Sequence, residues 1–139
     1  MKQLRIVLPI LFTLLTAISY GQKVKIKKNI ITINKEEYGK IEDDKSVRGS
    51  FYINDLTDNN LLYFKWVTAG SLNYYEIYKA DDLGNILYEE QAVMGFRKYM
   101  VKKLYNAKAL IKSGLNPDKL NDLAKKMGKE FSRIRDRRY

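Results

Sequence analysis

The chain contains neither cysteine nor histidine among its 139 residues. Without cysteine, no disulfide can cross-link the fold, so burial and hydrogen bonding must hold it together. The absence of both residue types also removes the usual zinc ligands, the thiolate nucleophile and the imidazole of most acid–base sites. We therefore expect no metal ion and no cofactor, and we favour a function without catalysis.

Several ligand-binding sequence patterns are also missing. The glycine patterns that bind nucleotides do not occur, and the acidic turn at residues 81–85 lacks the ligand spacing of an EF-hand. The two carboxylates of an acidic doublet, such as Glu89-Glu90, point to opposite faces of a strand, so doublets do not predict a paired-carboxylate site. A Ser–Lys dyad remains as an alternative, although no serine lies in a recognisable nucleophile motif.

The N-terminus has the arrangement of a secretory signal peptide. Lys2 and Arg5 precede an uncharged, mostly apolar stretch over residues 6–18, and small residues follow up to Gly21. The apolar stretch is shorter than the roughly 20 residues that cross a bilayer, and Pro9 interrupts it. We therefore expect cleavage after Gly21, no membrane span after cleavage, and a location in the periplasm, on the outer surface or in the medium.

Removal of the predicted signal peptide, residues 1–21, leaves residues 22–139, a length that favours one domain with one hydrophobic core. The whole chain has 26 basic and 16 acidic residues, for a formal net charge of +10. This excess favours anionic neighbours, although it also serves plain solubility. Because an exported protein seldom meets nucleic acid, we expect its partner to be a protein, a glycan or an anionic envelope surface.

Short segments of alternating or β-branched residues, separated by polar turns, predict a series of strands. The predicted strands cover residues 23–27, 30–33, 37–42, 48–54, 61–67, 74–79 and 86–90. The last of these segments is either a strand or the entry to a helix, with a strand favoured. Because the connections are too short for crossovers, neighbouring strands should pair as an antiparallel meander.

Alternation assigns the side chains of the longer strands to two faces. Phe51, Phe64, Trp66 and Ile77 share the face predicted to form the core. The opposite face is the best candidate binding surface, because an aromatic platform can stack sugars or grip a partner protein. Its candidate binding residues are Tyr52, Tyr63, Lys65, Tyr74 and Tyr78. The alternative is ordinary cross-strand tyrosine packing on a solvated sheet face.

Two amphipathic helices are predicted after Gln91, where apolar residues recur at steps of three and four. The stripe of the first helix consists of Val93, Phe96, Met100, Leu104, Ala107 and Ile111. This helix should end around Gly114, and the second should begin after Asn116 with Pro117 as its first residue. The stripe of the second helix consists of Leu120, Leu123, Met127, Phe131 and Ile134.

Basic residues cover the sides of these helices that face away from the apolar stripes. The candidate basic surface consists of Lys102, Lys103, Arg133, Arg135, Arg137 and Arg138. Basic amphipathic helices can dock on anionic envelope surfaces. Since the core needs both apolar stripes, we expect peripheral attraction without insertion, and a plain solvated face is the alternative.

The meander and the helices together predict the fold class. Both apolar stripes need a surface to cover, and the apolar face of the sheet is the only large one. The sequence therefore predicts an α+β domain, in which an antiparallel β-meander carries two C-terminal amphipathic helices packed on one face.

Three segments carry a resemblance to a group of known proteins. They are the signal ending Ser-Tyr-Gly-Gln at residues 19–22, the strand pair at 24–33 followed by Tyr-Gly-Lys-Ile at 38–41, and the helix connection Ser-Gly-Leu-Asn-Pro at 113–117. With these motifs the chain resembles small secreted α+β proteins of unknown function from Bacteroidetes-type bacteria. The resemblance covers most of residues 22–139 and implies a periplasmic or surface location. It brings no active site with it.

The favoured function is a non-enzymatic, exported binding protein of the bacterial envelope that uses the tyrosine-bearing face. One alternative is a small envelope hydrolase with a carboxylate or Ser–Lys site. Another is an inhibitor or immunity-type partner of a second secreted protein. We assign no catalytic residue.

Overall fold

The computed structural model describes residues 23–138, so the predicted signal peptide of residues 1–21 lies outside the described residues. Seven strands form one antiparallel sheet in which every strand pairs with its neighbours in the chain. The strands are β1 Val24–Lys27, β2 Ile30–Ile33, β3 Glu36–Asp43, β4 Phe51–Asn54, β5 Asn60–Ala69, β6 Leu72–Lys79 and β7 Tyr88–Gln91. The predicted meander is confirmed, including the strand favoured for its last segment.

Two tight turns set the register of the first three strands. Lys28 and Asn29 have φ angles of 52° and 65°, and Asn34 and Lys35 have φ angles of 51° and 68°. Two successive residues with positive φ form the hairpin turn whose twist matches that of the paired strands, and asparagine tolerates this conformation well. Lys28 and Asn29 thus form the turn between the strands predicted at 23–27 and 30–33, and β1 forms one edge of the sheet.

Gly39 lies where β3 approaches β4 too closely for a side chain. A Cβ atom at this position would lie 2.4 Å from the backbone oxygen of Asn54. We expect Gly39→Ala to lower the free energy of unfolding by about 1–3 kcal/mol, because the packed sheet must shift to admit a methyl group. Urea denaturation measures this change.

Gly84 provides the matched control for this substitution. A Cβ atom on Gly84 would meet nothing within 4 Å, and its φ angle is not positive. We expect Gly84→Ala to change the stability by less than about 0.5 kcal/mol. Equal stability of the two variants would contradict the close approach at Gly39.

One face of the sheet, here called the core face, carries the main hydrophobic core. The rings of Phe51 and Phe64 stack with centroids 4.7 Å apart, and Phe96 stacks on Tyr75 with centroids 3.9 Å apart. Phe51, Phe64 and the neighbouring Ile77 are completely buried. The predicted core face is confirmed, although Trp66 at its margin is only partly buried.

Three helices and a small hairpin follow the sheet. They are α1 Phe96–Asn106, the paired strands β8 Leu110–Ile111 and β9 Gly114–Leu115, α2 Pro117–Met127 and α3 Glu130–Arg138. The predicted start of α2 is confirmed, because Pro117 is its first residue and the Asn116 side chain accepts a hydrogen bond of 3.3 Å from the Lys119 amide. The α+β class is confirmed as well, whereas the details of the helices differ from the prediction.

The first predicted helix is wrong at both ends. Strand β7 extends to Gln91, and Gly95, with a φ angle of 67°, separates the strand from a helix that begins only at Phe96. Val93 therefore lies in a loop and is 44% exposed, instead of belonging to the core. At the other end, Ile111 belongs to the β8–β9 hairpin, which replaces the last predicted turns of the helix.

The second predicted helix is divided in two. Its apolar stripe runs on past Met127, but Gly128 adopts φ 71° and ψ −166°, which ends α2. The Gly128 carbonyl oxygen accepts a hydrogen bond of 3.0 Å from the amide of Glu89 in the edge strand β7. The chain thus crosses the sheet edge here. Because of this crossing, α3 packs on the face opposite the core, and the prediction that all helices share one face is wrong for α3.

Candidate functional site

The face opposite the core, here called the tyrosine face, holds the predicted binding residues. Tyr52, Tyr63 and Tyr78 are paired across β4, β5 and β6, and their neighbouring ring centroids lie 4.6 and 6.2 Å apart. Tyr74 and Lys65 lie on the same face by strand alternation. The structure thus brings all five predicted residues onto one face.

The predicted exposure of this face is wrong for three of its four tyrosines. Tyr74 is 0% exposed, Tyr63 9% and Tyr78 8%. Tyr52 is partly buried, and of the five predicted residues only Lys65 is exposed. The tyrosines pack against one another and, at one end, against α3, so the face is no open aromatic platform.

Helix α3 covers the Tyr74 end of this face. The Phe131 ring stacks on the Tyr74 ring with centroids 5.4 Å apart. Arg135 donates from Nη1 to Glu76 Oε1 at 3.0 Å and to the Tyr74 hydroxyl at 3.2 Å. Glu76 is 3% exposed and also accepts a hydrogen bond from the Tyr78 hydroxyl. Its charge is therefore neutralised by a cation and shared among three donors, since Tyr74 donates to it as well.

Glu89 is a second buried carboxylate on this face, directly across from Glu76 on the neighbouring strand. Its Oε2 accepts a hydrogen bond of 2.9 Å from the Ser132 amide, in the first turn of α3. This contact supplies an acceptor to an otherwise unpaired amide and places negative charge at the positive end of the helix. Oε1 of Glu89 is buried with no hydrogen-bond partner among the described residues. Sequence alternation assigned Glu76 to this face, but it gave no signal that a helix would bury either carboxylate.

Burial shifts the titration of these tyrosines. Desolvation, followed by a hydrogen bond of 2.6 Å to Asp44, raises the pKa of Tyr63 to about 12. Desolvation and the nearby Glu76 carboxylate raise the pKa of Tyr74 to about 12. The hydrogen bond from Tyr63 lowers the pKa of Asp44 below its usual value. These hydroxyls therefore remain protonated donors throughout the physiological pH range.

The predicted basic surface does not form one patch. Lys102 and Lys103 lie on α1 at the core face, where Lys103 forms an ion pair with Glu90. Arg133, Arg135 and Arg137 lie on α3 at the tyrosine face, and Arg135 is engaged by Glu76. The side chain of Arg138 lies outside the described residues.

A different exposed surface surrounds the loop between β7 and α1. Val93 is 44% exposed, Met94 101% and Tyr99 42%, and they make up three of the five large exposed hydrophobic residues within 23–138. Gly95, in a left-handed conformation, is the N-cap of α1 and ends this loop. Exposed apolar residues that lie near one another indicate an interaction site more strongly than single scattered ones.

Lysine side chains lie beside this loop. An open groove of about 800 Å³ between β1 and α1 is lined by Lys25, Lys27, Val93 and Lys98. None of these three lysines forms an ion pair with another described residue. We call the set Lys25, Lys27, Val93, Met94 and Lys98 the loop surface.

No family model, curated protein or solved structure matches this chain. The function must therefore be argued from the surfaces of the molecule itself. Among the helices of residues 23–138, none has the length and apolar character needed to span a bilayer.

A second groove that is bordered by α1 is also lined by lysines. It lies between α1 and α2, has a volume of about 400 Å³, and has Leu123 and Met127 among its lining residues. The cations that line it are Lys102, Lys103 and Lys126. No acidic side chain lines either groove. Because Lys103 is paired with Glu90, Lys102 and Lys126 are the cations of this groove that have no ion-pair partner among residues 23–138.

Proposed function

We propose that this protein is an exported, non-enzymatic binding protein that attaches to an anionic lipid surface of the cell envelope through the loop surface. The observation that carries the proposal is the combination of a fully exposed Met94 with the groove beside the neighbouring Val93. Three lysines that line this groove have no ion-pair partner in residues 23–138. Apolar side chains that enter the interface while cations stay at the headgroups are typical of peripheral membrane binding.

The two kinds of side chain contribute comparable amounts of binding free energy. Transfer of an exposed Met or Val side chain out of water yields about 1.5–3 kcal/mol when burial is complete. Each Lys beside an anionic membrane contributes about 1 kcal/mol. With two apolar residues, three lysines and only partial burial, these terms favour reversible attachment.

The contacts within the tyrosine face favour the loop surface as the binding site. The Glu76 carboxylate accepts hydrogen bonds from Tyr74, Tyr78 and Arg135. These polar groups therefore already have hydrogen-bond partners within the protein. The same reasoning makes the hydrolase alternative the weaker proposal, since Glu76 and Glu90 each lie in an ion pair.

Co-sedimentation with lipid vesicles tests this function. The protein should pellet with phosphatidylglycerol vesicles, and its binding should weaken steeply as the salt concentration rises. Val93→Ser/Met94→Ser should weaken binding at least tenfold, and Lys27→Glu/Lys98→Glu should do the same by reversing two charges. These losses correspond to about 1.4 kcal/mol or more.

Two matched variants serve as controls. Leu83→Ser removes another apolar residue, which is 51% exposed and lies outside the loop surface. Lys65→Glu reverses an exposed charge on the tyrosine face. Both should bind like the unmodified protein. Equal binding to phosphatidylcholine and phosphatidylglycerol vesicles, or an equal loss in the Lys65→Glu variant, would overturn the proposal, as would retention by an acidic protein without any lipid binding.

A further inference from the structure

Helix α3 is held to its own sheet by few contacts. It has nine residues, six of which are charged. A helix of this length is marginal in isolation, so its docking contacts must stabilise it. Those contacts are the Phe131–Tyr74 stack, the Arg135–Glu76 ion pair and the hydrogen bond from the Ser132 amide to Glu89.

The apolar pattern of the sequence also fits a second path for this helix. The apolar stripe passes without interruption from α2 to α3 through Leu123, Met127, Phe131 and Ile134, at steps of four, four and three residues. Such a stripe is typical of one continuous helix. The backbone of Gly128, at φ 71° and ψ −166°, and its hydrogen bond with the Glu89 amide direct α3 around the sheet edge.

Glycine is needed at position 128 because of the backbone angles there, and not because a side chain would lack space. A Cβ atom at this position would meet nothing within 4 Å. Positive φ is unfavourable for residues other than glycine, whereas glycine is unfavourable inside a helix. For both reasons, Gly128 favours a bend between α2 and α3 over one straight helix.

We propose that a second copy of this chain can supply α3 to the tyrosine face, which gives a dimer that exchanges its C-terminal helices. When α2 and α3 form one straight helix, α3 leaves its own sheet and becomes available to a neighbour. The neighbour offers Tyr74, Glu76 and Glu89, and each contact of the monomer is made again between two copies. This exchange is independent of the lipid binding proposed above.

When α3 leaves, the chemistry of its binding site on the tyrosine face favours the α3 of a second copy as the new occupant. Two carboxylates, Glu76 and Glu89, lie on the site with Tyr74 beside them, and all three are buried only while a helix covers them. A fitting helix must present an aromatic ring near its start and a cation four residues later. Phe131 and Arg135 of a second copy provide this pair at the same spacing.

Gly128→Ala tests the exchange directly. The substitution disfavours the bend and favours the straight helix, so we expect the dimer dissociation constant to fall at least tenfold. Sedimentation velocity over a range of concentrations measures this constant, and the midpoint of thermal unfolding should become concentration-dependent. Gly70→Ala is the matched control, because Gly70 also has a positive φ of 62° and open space around it but lies in a hairpin turn. That variant should stay monomeric.

A second variant distinguishes helix exchange from any other association. Adding Arg135→Glu to Gly128→Ala places a negative charge against Glu76 wherever α3 docks, so α3 should stay undocked and the dimer should be lost. A folded Gly128→Ala variant that remains monomeric at every concentration would overturn the proposal. A dimer that survives the added Arg135→Glu substitution would overturn it equally.

Discussion

Replacing Tyr74 by Ser is expected to lower the free energy of unfolding by about 3–5 kcal/mol, the range found for large aromatic truncations in protein cores. Tyr74 is completely buried, stacks on Phe131 and donates a hydrogen bond to Glu76. The substitution removes all of these interactions and leaves the buried Glu76 with one donor fewer. Urea denaturation of the two proteins measures the difference.

Tyr52→Ser is the matched control on the same face. Tyr52 is only partly buried, and its ring contacts Tyr63 without an assigned hydrogen bond. Its replacement should cost less than half as much as that of Tyr74, because less apolar surface is lost from the interior. If both variants kept the stability of the unmodified protein, the tyrosines would be surface residues, as a solvated binding face requires.

Alkaline pH is expected to unfold the protein between about pH 10 and pH 12. The pKa values of Tyr63 and Tyr74 are raised to about 12 in the folded state, against 10.0 for an unperturbed tyrosine. Their contribution to stability is therefore fully present below pH 10 and is lost as the pH rises towards 12, because only the unfolded chain releases these protons in that window. Each unit of pKa difference corresponds to about 1.4 kcal/mol.

The variant Tyr63→Phe/Tyr74→Phe isolates this effect. It keeps both rings but removes the two titrating hydroxyls, so its stability should fall less steeply between pH 10 and pH 12. Denaturation midpoints measured at pH 9, 10, 11 and 12 give the comparison. Parallel curves for the two proteins would show that other groups cause the alkaline loss.

Local sequence signals predicted the sheet well. Strict alternation in β1 and the turns at Lys28-Asn29 and Asn34-Lys35 are properties of a few adjacent residues, so they can be recognised without the rest of the fold. The capping of α2 by Asn116 is equally local. For such elements the sequence prediction and the structure agree.

Elements that depend on distant contacts were predicted less well. The apolar spacing that included Val93 in a helix takes no account of the pairing of β7 with β6, which holds the chain extended up to Gln91. The bend at Gly128 likewise depends on a hydrogen bond from Glu89, about 40 positions earlier in the chain. The periodicity of apolar residues indicates which side of a helix is buried, but it does not indicate where the helix ends.

The candidate binding site in the structure differs from the predicted one because it also depends on distant contacts. Alternation correctly placed Tyr52, Tyr63 and Tyr74 on one face, but the cover provided by α3 arises only in the folded chain. Met94 gave no signal in the sequence, because its exposure follows from where β7 ends and α1 begins. The resulting surface combines residues of β1 with residues of the loop and α1, which lie far from β1 in the sequence.

The most direct test of the central claim is a single-site labelling experiment on lipid vesicles. Because the chain has no cysteine, Met94→Cys and Lys65→Cys each allow one environment-sensitive fluorophore to be attached. With phosphatidylglycerol vesicles that contain brominated lipids, the label at position 94 should be quenched while the label at position 65 remains in water. Quenching at position 65 with none at position 94 would contradict binding through the loop surface.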